Sequence, residues 1–462
     1  MTAAHSATNP LLQGDIEPTL RQLTLPVLAG MLTLMSFNLV DTFFISMLGT
    51  QQLAAVSFTF PVTFSVISLV IGLSIGTSAV IARALGAGRQ HDARHDGLTA
   101  IWLGTLLVAL LALLCYLLLD PMFVLLGADA NILHYIRQYM LIWLAGSVLL
   151  AIPMLGNAIL RAAGETKLPS IIMASGGLVN ALLDPLLIFG WGPIPAMGMQ
   201  GAALASVVAW LSSCGLIIYL LVWRRQLVSC RWLSVTEFVN RSRKILRIGL
   251  PAAGANMLTP LAMAVITAIM ATYGAEAVAA FGVGMRIESI VCLVVLALSM
   301  TLPPFISQNM GAAQLSRVQQ AYKLCCRFVL RWQLLLYVLL AMLAWPLADI
   351  FTDNPQVASY IRWFIWVMPL AYGLQGVIIL TNSSFNAMHL PAKAVWLSIF
   401  RLFICYVPLA WLGGVLFGVM GVFIGCVLAN VLIASVAYRW FNRVMQSHMA
   451  APAVTEQESR LI

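Results

Sequence analysis

Twelve long apolar segments dominate the sequence and restrict the folds that it can adopt. They span residues 22–46, 56–81, 98–119, 132–153, 168–190, 201–223, 248–273, 277–303, 324–348, 358–381, 392–415 and 418–440. Each is close to the ~20 residues that an α-helix needs to cross ~30 Å of hydrocarbon. Charged residues make up only 9% of the chain, which excludes a soluble globular protein. The apolar runs are continuous and do not alternate, so a transmembrane β-barrel is also excluded. The pattern predicts an all-α integral membrane protein with twelve transmembrane helices.

The basic residues divide the connections between these segments into two sets. One set holds Arg83, Arg89, Arg94, Arg161, Lys167, Arg224, Arg225, Arg231, Arg241, Arg243, Lys244, Arg247, Arg317, Lys323, Arg327, Lys393, Arg439 and Arg443. The other set, beginning with residues 49–55 and 120–131, contains no Lys or Arg. By the positive-inside rule the first set is cytoplasmic, and so are both termini. The net charge of +9 is therefore a topology signal. It predicts contact with a lipid bilayer and no binding to nucleic acid. We expect the protein to be a monomer and to lie in a bacterial inner membrane.

An internal repeat divides the chain into two halves. Matching residues recur at a constant offset of 225: Pro26 and Pro251, Val40 and Val265, Thr42 and Thr267, Gly49 and Gly274, Gly86-Ala87 and Gly311-Ala312, and Tyr135-Ile136-Arg137 and Tyr360-Ile361-Arg362. The repeat predicts an N-terminal lobe of six helices over 1–223, a basic cytoplasmic linker over 224–247, and a C-terminal lobe of six helices with a short tail over 248–462. Parallel repeats of this kind are typical of transporters that work by alternating access.

Two carboxylates inside apolar segments are the main candidates for function. At ~1.5 Å per residue, Asp41 lies ~28 Å and Asp184 ~24 Å from the cytoplasmic ends of their helices. An ionisable side chain at membrane depth costs roughly 2.5–3.5 kcal/mol on insertion scales, so it is kept where it has a use or a partner. Asn180 shares a helix face with Asp184. The same depth argument brings Tyr139, Ala202 and Ser206 to this level.

These groups can form an oxygen cage for a proton or a hard cation, and this is the preferred interpretation. The alternative is a structural hydrogen-bond network that ties the helices together. In the repeat, Asp41 corresponds to Ile266 and Asp184 to Val407. Coupling by an ion is therefore predicted in the N-terminal lobe only.

A further acid, Glu288, lies inside an apolar segment of the C-terminal lobe. Glu288 and Arg286 are two residues apart and point to different helix faces. Arg401 on the eleventh helix is the predicted partner of Glu288, and a structural charge pair is favoured over a functional one.

No pattern in the chain indicates enzyme chemistry or a bound cofactor. Gly72-Leu73-Ser74-Ile75-Gly76 fits a nucleophile motif but lacks the strand–turn–helix context that the motif needs. It also fits GxxxG, and close helix packing is the preferred interpretation. No His or Cys has metal-ligand spacing.

The chain resembles the multidrug and toxic compound extrusion (MATE) family over essentially all twelve helices. The residues that carry the resemblance are Pro26, Val40-Asp41-Thr42, Gly49, Gly86-Ala87-Gly88, Gly164-Glu165-Thr166-Lys167, Asn180-Ala181-Leu182-Leu183-Asp184-Pro185, Gly198-Met199-Gln200-Gly201-Ala202-Ala203 and Arg286-Ile287-Glu288. The resemblance implies a V-shaped pair of pseudo-symmetric six-helix lobes. It also implies export of amphipathic, often cationic compounds in exchange for H⁺ or Na⁺.

The resemblance further implies a cation site in the N-terminal lobe. Its members would be Asp41, Asn180, Asp184, Ser206 and the Ala202 carbonyl, with Tyr139 nearby. Neither the seventh nor the tenth helix carries a carboxylate, which favours the DNA-damage-inducible F-like (DinF-like) branch of the family.

The sequence thus predicts a secondary antiporter for small amphipathic molecules. H⁺ is preferred to Na⁺ as the coupling ion, and no cofactor is expected. Neutralisation of Asp41 and Asp184 would reshape the first helix, with Pro26, Asn38 and Thr42 in supporting roles. The alternatives are a flippase for lipids or lipid-linked sugars from the same superfamily, an intramembrane enzyme and a channel.

Overall fold

The computed structural model describes residues 10–229, 231 and 233–459, with side chains up to residue 450. Its long elements are all α-helices, and the one β-bridge among the described residues joins Trp191 and Ile194. The twelve long helices are α1 Ile16–Ser46, α2 Thr50–Gly86, α3 Gln90–Leu117, α4 Ala130–Ala162, α5 Lys167–Phe189, α6 Met199–Tyr219, α7 Val235–Ala271, α8 Ala275–Val291 with Leu293–Gly311, α9 Leu315–Met342, α10 Pro355–Val367 with Tyr372–Ala387, α11 391–416 and α12 419–459.

The shorter elements extend or connect these helices. They are the α-helical pieces Pro10–Gln13, Leu119–Leu125 and Ala344–Phe351, the 3₁₀ turn Met368–Ala371, and the π-helical turns Leu220–Arg224 and Phe400–Tyr406.

The prediction of twelve membrane helices is confirmed. In the described residues, 11 helices are long and apolar enough to cross a membrane, and the last of them, Pro391–Ala450, contains two predicted segments. Phe417 and Gly418 leave helical geometry between those segments, with φ values of −136° and +63°. Helices are the expected solution because lipid offers the backbone no hydrogen-bond partner. The chain is a multi-pass membrane protein.

The described chain forms two compact units. One is Arg21–Ala253, and the other combines the described residues up to Leu20 with those from Gly254 onwards. In the second unit, Asn309 Nδ2 donates to the Leu11 carbonyl (3.0 Å) and Arg317 donates to the Gly14 carbonyl (2.7 Å). The lobe limits predicted from the repeat stay a prediction. The helical part of the predicted linker begins at Val235, where α7 starts.

The internal repeat recurs in the backbone geometry. Residues with positive φ occur in pairs at the offset of 225, namely Gly49 and Gly274, Gly88 and Ala313, and Gly164 and His389. Asp129 and Asn354, also one offset apart, each accept backbone N–H groups as the N-cap of a helix. The two halves therefore use the same turns and caps between corresponding helices.

The glycine pair Gly72 and Gly76 brings α2 and α7 into close contact. A Cβ atom on Gly72 would lie 2.4 Å from the Gly249 carbonyl oxygen, and one on Gly76 would lie 2.6 Å from the Ile245 oxygen. The prediction that this motif serves close helix packing is confirmed.

Candidate functional site

The polar centre of the unit Arg21–Ala253 is built around Asp184 on α5. Asp184 is fully buried. Asn180 Nδ2, one helical turn earlier, donates to Asp184 Oδ1 (3.4 Å) and lies 3.5 Å from Ser206 Oγ on α6. Asp184 Oδ2 has no hydrogen-bond donor among the described residues. The amide thus joins α5 and α6, and one carboxyl oxygen of Asp184 remains available to another ligand.

Asp41 on α1 is the second acid of this centre. Its carboxyl group lies within hydrogen-bonding reach of the Asp184 carboxyl. Two carboxyl groups that share a site repel each other when both are ionised, so a proton or a cation between them is strongly favoured. Chemically, a pair of this kind can take up one positive charge reversibly.

Small residues allow α1 to approach α5 beneath the acid pair. A Cβ atom on Gly177 would lie 2.2 Å from the Phe37 ring, and one on Gly30 would lie 3.1 Å from Ser170. Larger side chains at these glycines would separate the helices, and the two carboxyl groups with them.

Tyr139 and Ala202 complete the predicted set. Tyr139 on α4 is 8% exposed and is close enough to interact electrostatically with both acids. Ala202 on α6 is buried. Pro185 has no N–H, so the Ala181 carbonyl lacks its usual helical donor and offers a further oxygen next to the acids. The structure therefore brings α1, α4, α5 and α6 together around the acid pair.

The predicted supporting residues of α1 are Pro26, Asn38 and Thr42. Asn38 and Thr42 are exposed, and the Thr42 hydroxyl donates to the Asn38 carbonyl (2.9 Å). Pro26 lies inside α1, more than three helical turns before Asp41. None of the three has a hydrogen bond to either acid among the described residues.

The corresponding positions of the second unit are apolar. Ile266 is fully buried in a cluster that contains Phe281, Phe364 and Phe423, and Val407 packs against the same cluster. Hydrophobic packing therefore replaces the acid pair in this unit.

A different polar group surrounds Glu288 in the second unit. Gln375 Nε2 on α10 donates to Glu288 Oε1 (2.9 Å). Arg401 is close enough for an electrostatic interaction, but in the described chain it forms no ion pair with Glu288 within 4.0 Å. Arg286 is exposed on another face of α8. The predicted charge pair is thus not a direct contact in the described chain, and the hydrogen-bond donor to Glu288 is the amide of Gln375.

Three helices lose regular geometry around Glu288. α8 breaks at Cys292, α10 contains the 3₁₀ turn Met368–Ala371, and α11 contains the π-helical turn Phe400–Tyr406. Arg401 Nε and the Tyr372 hydroxyl have no hydrogen-bond partner among the described residues. Gln375 was missed in the sequence, although an amide in the middle of the apolar segment 358–381 is a signal of the same kind as Asn180.

Comparison with known proteins agrees with the repeat and with the fold. The sequence model of the MatE family matches the chain twice, over residues 26–186 and 251–412. The two matches begin at Pro26 and Pro251, which are equivalent positions of the repeat.

Relatives of known description match almost the whole chain. An FAD transporter of Shewanella oneidensis is 40% identical over 448 residues, which cover 96% of this chain and 98% of the relative. A probable multidrug resistance protein, NorM of Thermotoga maritima, is 25% identical and covers 91% of each chain.

Solved structures show the same architecture. The crystal structure of the Vibrio cholerae MATE transporter VcmN in the bent form has a TM-score of 0.89 and 34% identity, and covers 94% of this chain and 98% of its own. A MOP superfamily transporter from Pyrococcus furiosus gives a TM-score of 0.87 at 25% identity, and covers 97% of this chain and 100% of its own.

Proposed function

The chain belongs to the MATE family of membrane transporters, and from this premise we propose that it is a secondary active antiporter whose coupling ion binds at Asp41 and Asp184. The observation that carries the proposal is that two carboxyl groups from different helices lie close enough to interact, one of them fully buried. A structural network needs no pair of acids, since neutral amides and hydroxyls would join the helices without the electrostatic cost.

In this proposal the ion acts through α1. When the site is empty of positive charge, the two carboxylates repel each other and α1 separates from α5 near Asp41. When a proton or Na⁺ binds, the carboxyl groups draw together, with Asn180 orienting Asp184. An ion can shift a conformational equilibrium only if it binds one state more tightly than the other. In this proposal it binds more tightly to the state in which the Asp41 and Asp184 carboxyl groups are close together.

The coupling ion is proposed to be H⁺, with Na⁺ as the alternative. For Na⁺ the ligands would be Asp41, Asn180, Asp184, Ser206 and the Ala202 carbonyl. We also propose that the protein acts as a monomer in a bacterial inner membrane and belongs to the DinF-like branch, whose coupling acids are in the N-terminal lobe.

Two cargo classes follow from the relatives. The relative described as an FAD transporter is 40% identical, which supports a flavin dinucleotide as the first candidate. The relative described as a probable multidrug resistance protein is 25% identical, which supports amphipathic, often cationic compounds as the second. The two classes differ in charge, and a transport assay that offers each cargo separately distinguishes them.

The test uses inverted membrane vesicles with an imposed pH gradient or an imposed Na⁺ gradient. FAD and a cationic dye are offered separately to the wild type, Asp41→Asn, Asp184→Asn and the exposed-acid control Asp353→Asn. We expect gradient-driven uptake by the wild type and the control, and none by the two site variants. Full gradient-driven uptake by both site variants would refute the coupling role. Uptake that follows the Na⁺ gradient at fixed pH would replace H⁺ by Na⁺.

A further inference from the structure

A groove on the surface of the unit Arg21–Ala253 has a polarity that matches a membrane lipid. It has a volume of about 490 Å³ and lies between α3 and the first turns of α7. Its lining residues are Leu103, Phe238, Val239, Ser242, Arg243, Leu246, Arg247 and Leu250. Apart from the two arginines and the serine, the wall is made of hydrocarbon side chains.

The groove crosses the depth at which the bilayer changes from polar to apolar. The predicted apolar segment of α7 begins at residue 248 and that of α3 at residue 98. Arg243 and Arg247 therefore lie at the level of lipid headgroups, while Leu103 and Leu250 lie at the level of acyl chains.

The start of α7 is held against α3, so the groove is a built feature. Arg241 forms ion pairs with Asp96 (2.7 Å), Asp92 (3.3 Å) and Glu237 (3.1 Å). Ile245 is fully buried on the same side of the helix. This contact fixes the rotation of α7 and directs the opposite face outwards.

That outward face presents unpaired positive charge. Arg243 and Arg247 are one helical turn apart and therefore share a face. Both are exposed, and in the described chain neither forms an ion pair, since the acids near this segment all contact Arg241. Anionic headgroups attract basic side chains at the membrane surface by about 1 kcal/mol each.

Ser242 forms part of the inner wall of the groove. It is only 5% exposed, and its hydroxyl has no hydrogen-bond partner among the described residues. It lines the groove beside Arg243. The hydroxyl oxygen is shielded from solvent, so the polar contacts for a ligand in the groove come from Arg243 and Arg247.

We propose that this groove binds one anionic phospholipid of the surrounding bilayer. Its phosphate would contact Arg243 and Arg247, and one acyl chain would lie along Leu246, Leu250 and Leu103. The site is separate from the acid pair and does not depend on the proposed transport activity.

The test measures lipid binding to the purified full-length protein by native mass spectrometry. Phosphatidylglycerol and phosphatidylcholine are titrated against the wild type, against Arg243→Gln/Arg247→Gln, and against Arg439→Gln/Arg443→Gln. The last variant removes two exposed arginines with the same spacing from α12 and serves as the matched control. Glycerol phosphate, which has the headgroup charge but no acyl chains, is added as a competitor.

We expect the wild type and the control to bind one phosphatidylglycerol more tightly than phosphatidylcholine, and the groove variant to bind it about 30-fold more weakly. Ser242→Ala should leave binding nearly unchanged, because the hydroxyl oxygen is shielded from the groove. Equal binding of the two lipids by the wild type, or an equal loss in the control variant, would overturn the proposal. Displacement of the lipid by glycerol phosphate at similar concentrations would overturn the role of the acyl chains.

Discussion

At the scale of single residues, Asn180 is the side chain that connects the acid pair to α6. We expect Asn180→Ala to slow gradient-driven transport at least about tenfold, because a hydrogen bond to a charged group contributes roughly 1.5–3 kcal/mol. The measurement is the initial rate of cargo uptake in inverted vesicles. Asn382→Ala is the matched control, since Asn382 Nδ2 donates to Ser398 Oγ (2.7 Å) and contacts neither acid. Equal slowing of both variants would show that Asn180 serves helix packing only.

Gln375 is the corresponding test in the second unit. Its amide donates to the Glu288 carboxylate at 2.9 Å, so Gln375→Ala leaves that acid without its donor. We expect the free energy of unfolding to fall by about 1–3 kcal/mol, read as a lower Tm of the purified protein. Arg286→Ala removes an exposed charge from the same helix as Glu288 and should leave the Tm nearly unchanged. A large effect of Arg286→Ala would show that the loss of stability is not specific to the donor of Glu288.

The residues that the sequence could pair are those one turn apart on one helix. Helical spacing predicts that Asn180 and Asp184 share a face. The rise per residue predicts that Asp41, Tyr139 and Ser206 lie at a similar depth in the membrane. The partner of Glu288 could not be predicted in this way. Depth does not determine the rotation of α10 and α11 about their axes, and that rotation presents Gln375 to the carboxylate.

At the scale of elements, the contact between α2 and α7 depends on glycine. A Cβ atom on Gly72 would lie 2.4 Å from a backbone oxygen and 2.5 Å from the Ala253 methyl group. We expect Gly72→Ala to lower the free energy of unfolding by about 1–3 kcal/mol, because an extra methyl forces the helices apart. The measurement is the Tm together with the fraction of monodisperse protein.

Gly215 provides the control for this prediction. It lies inside α6, and a Cβ atom there would meet nothing within 4 Å. Gly215→Ala should leave stability unchanged or raise it by about 0.4–1 kcal/mol, since alanine restricts the unfolded chain. A Tm of Gly72→Ala equal to that of Gly215→Ala would contradict close packing at Gly72.

The apolar segments located each helix but did not give its ends or its irregular turns. α7 begins at Val235, well before its apolar segment starts at residue 248. The polar residues of this first part lie outside the hydrocarbon and are stabilised by contacts with other polar residues. Arg241 makes such contacts, because it forms ion pairs with Asp92 and Asp96 of α3. The π-helical turn Phe400–Tyr406 leaves no mark in hydropathy, since it changes hydrogen bonding and not composition.

At the scale of the whole molecule, the backbone repeat and the polar sites have diverged separately. The turns and caps recur at one offset, as Gly49 with Gly274 shows. The acid Asp41 nevertheless corresponds to the fully buried Ile266. The turns that recur in both halves preserve the path of the chain. Interior residue types can differ between the halves as long as the interior remains well packed. One half can therefore specialise in ion coupling while the other keeps the same fold.

The orientation of the molecule in the membrane is a further prediction at this scale. The basic connections predict that Arg89, between α2 and α3, faces the cytoplasm, and that Asp353, between α9 and α10, faces outwards. Both side chains are exposed. Labelling of a cysteine at either position therefore depends on the side of the membrane that it faces and is not prevented by burial. In intact cells, a membrane-impermeant maleimide should label Asp353→Cys well above the wild-type background.

Arg89→Cys should be labelled only after the membrane is made permeable. An even number of spans then puts both termini on the side of Arg89, which the positive-inside rule assigns to the cytoplasm. Labelling of Arg89→Cys in intact cells would invert the topology. The proposed lipid groove would then face the outer leaflet, and the proposed direction of ion flow would be reversed.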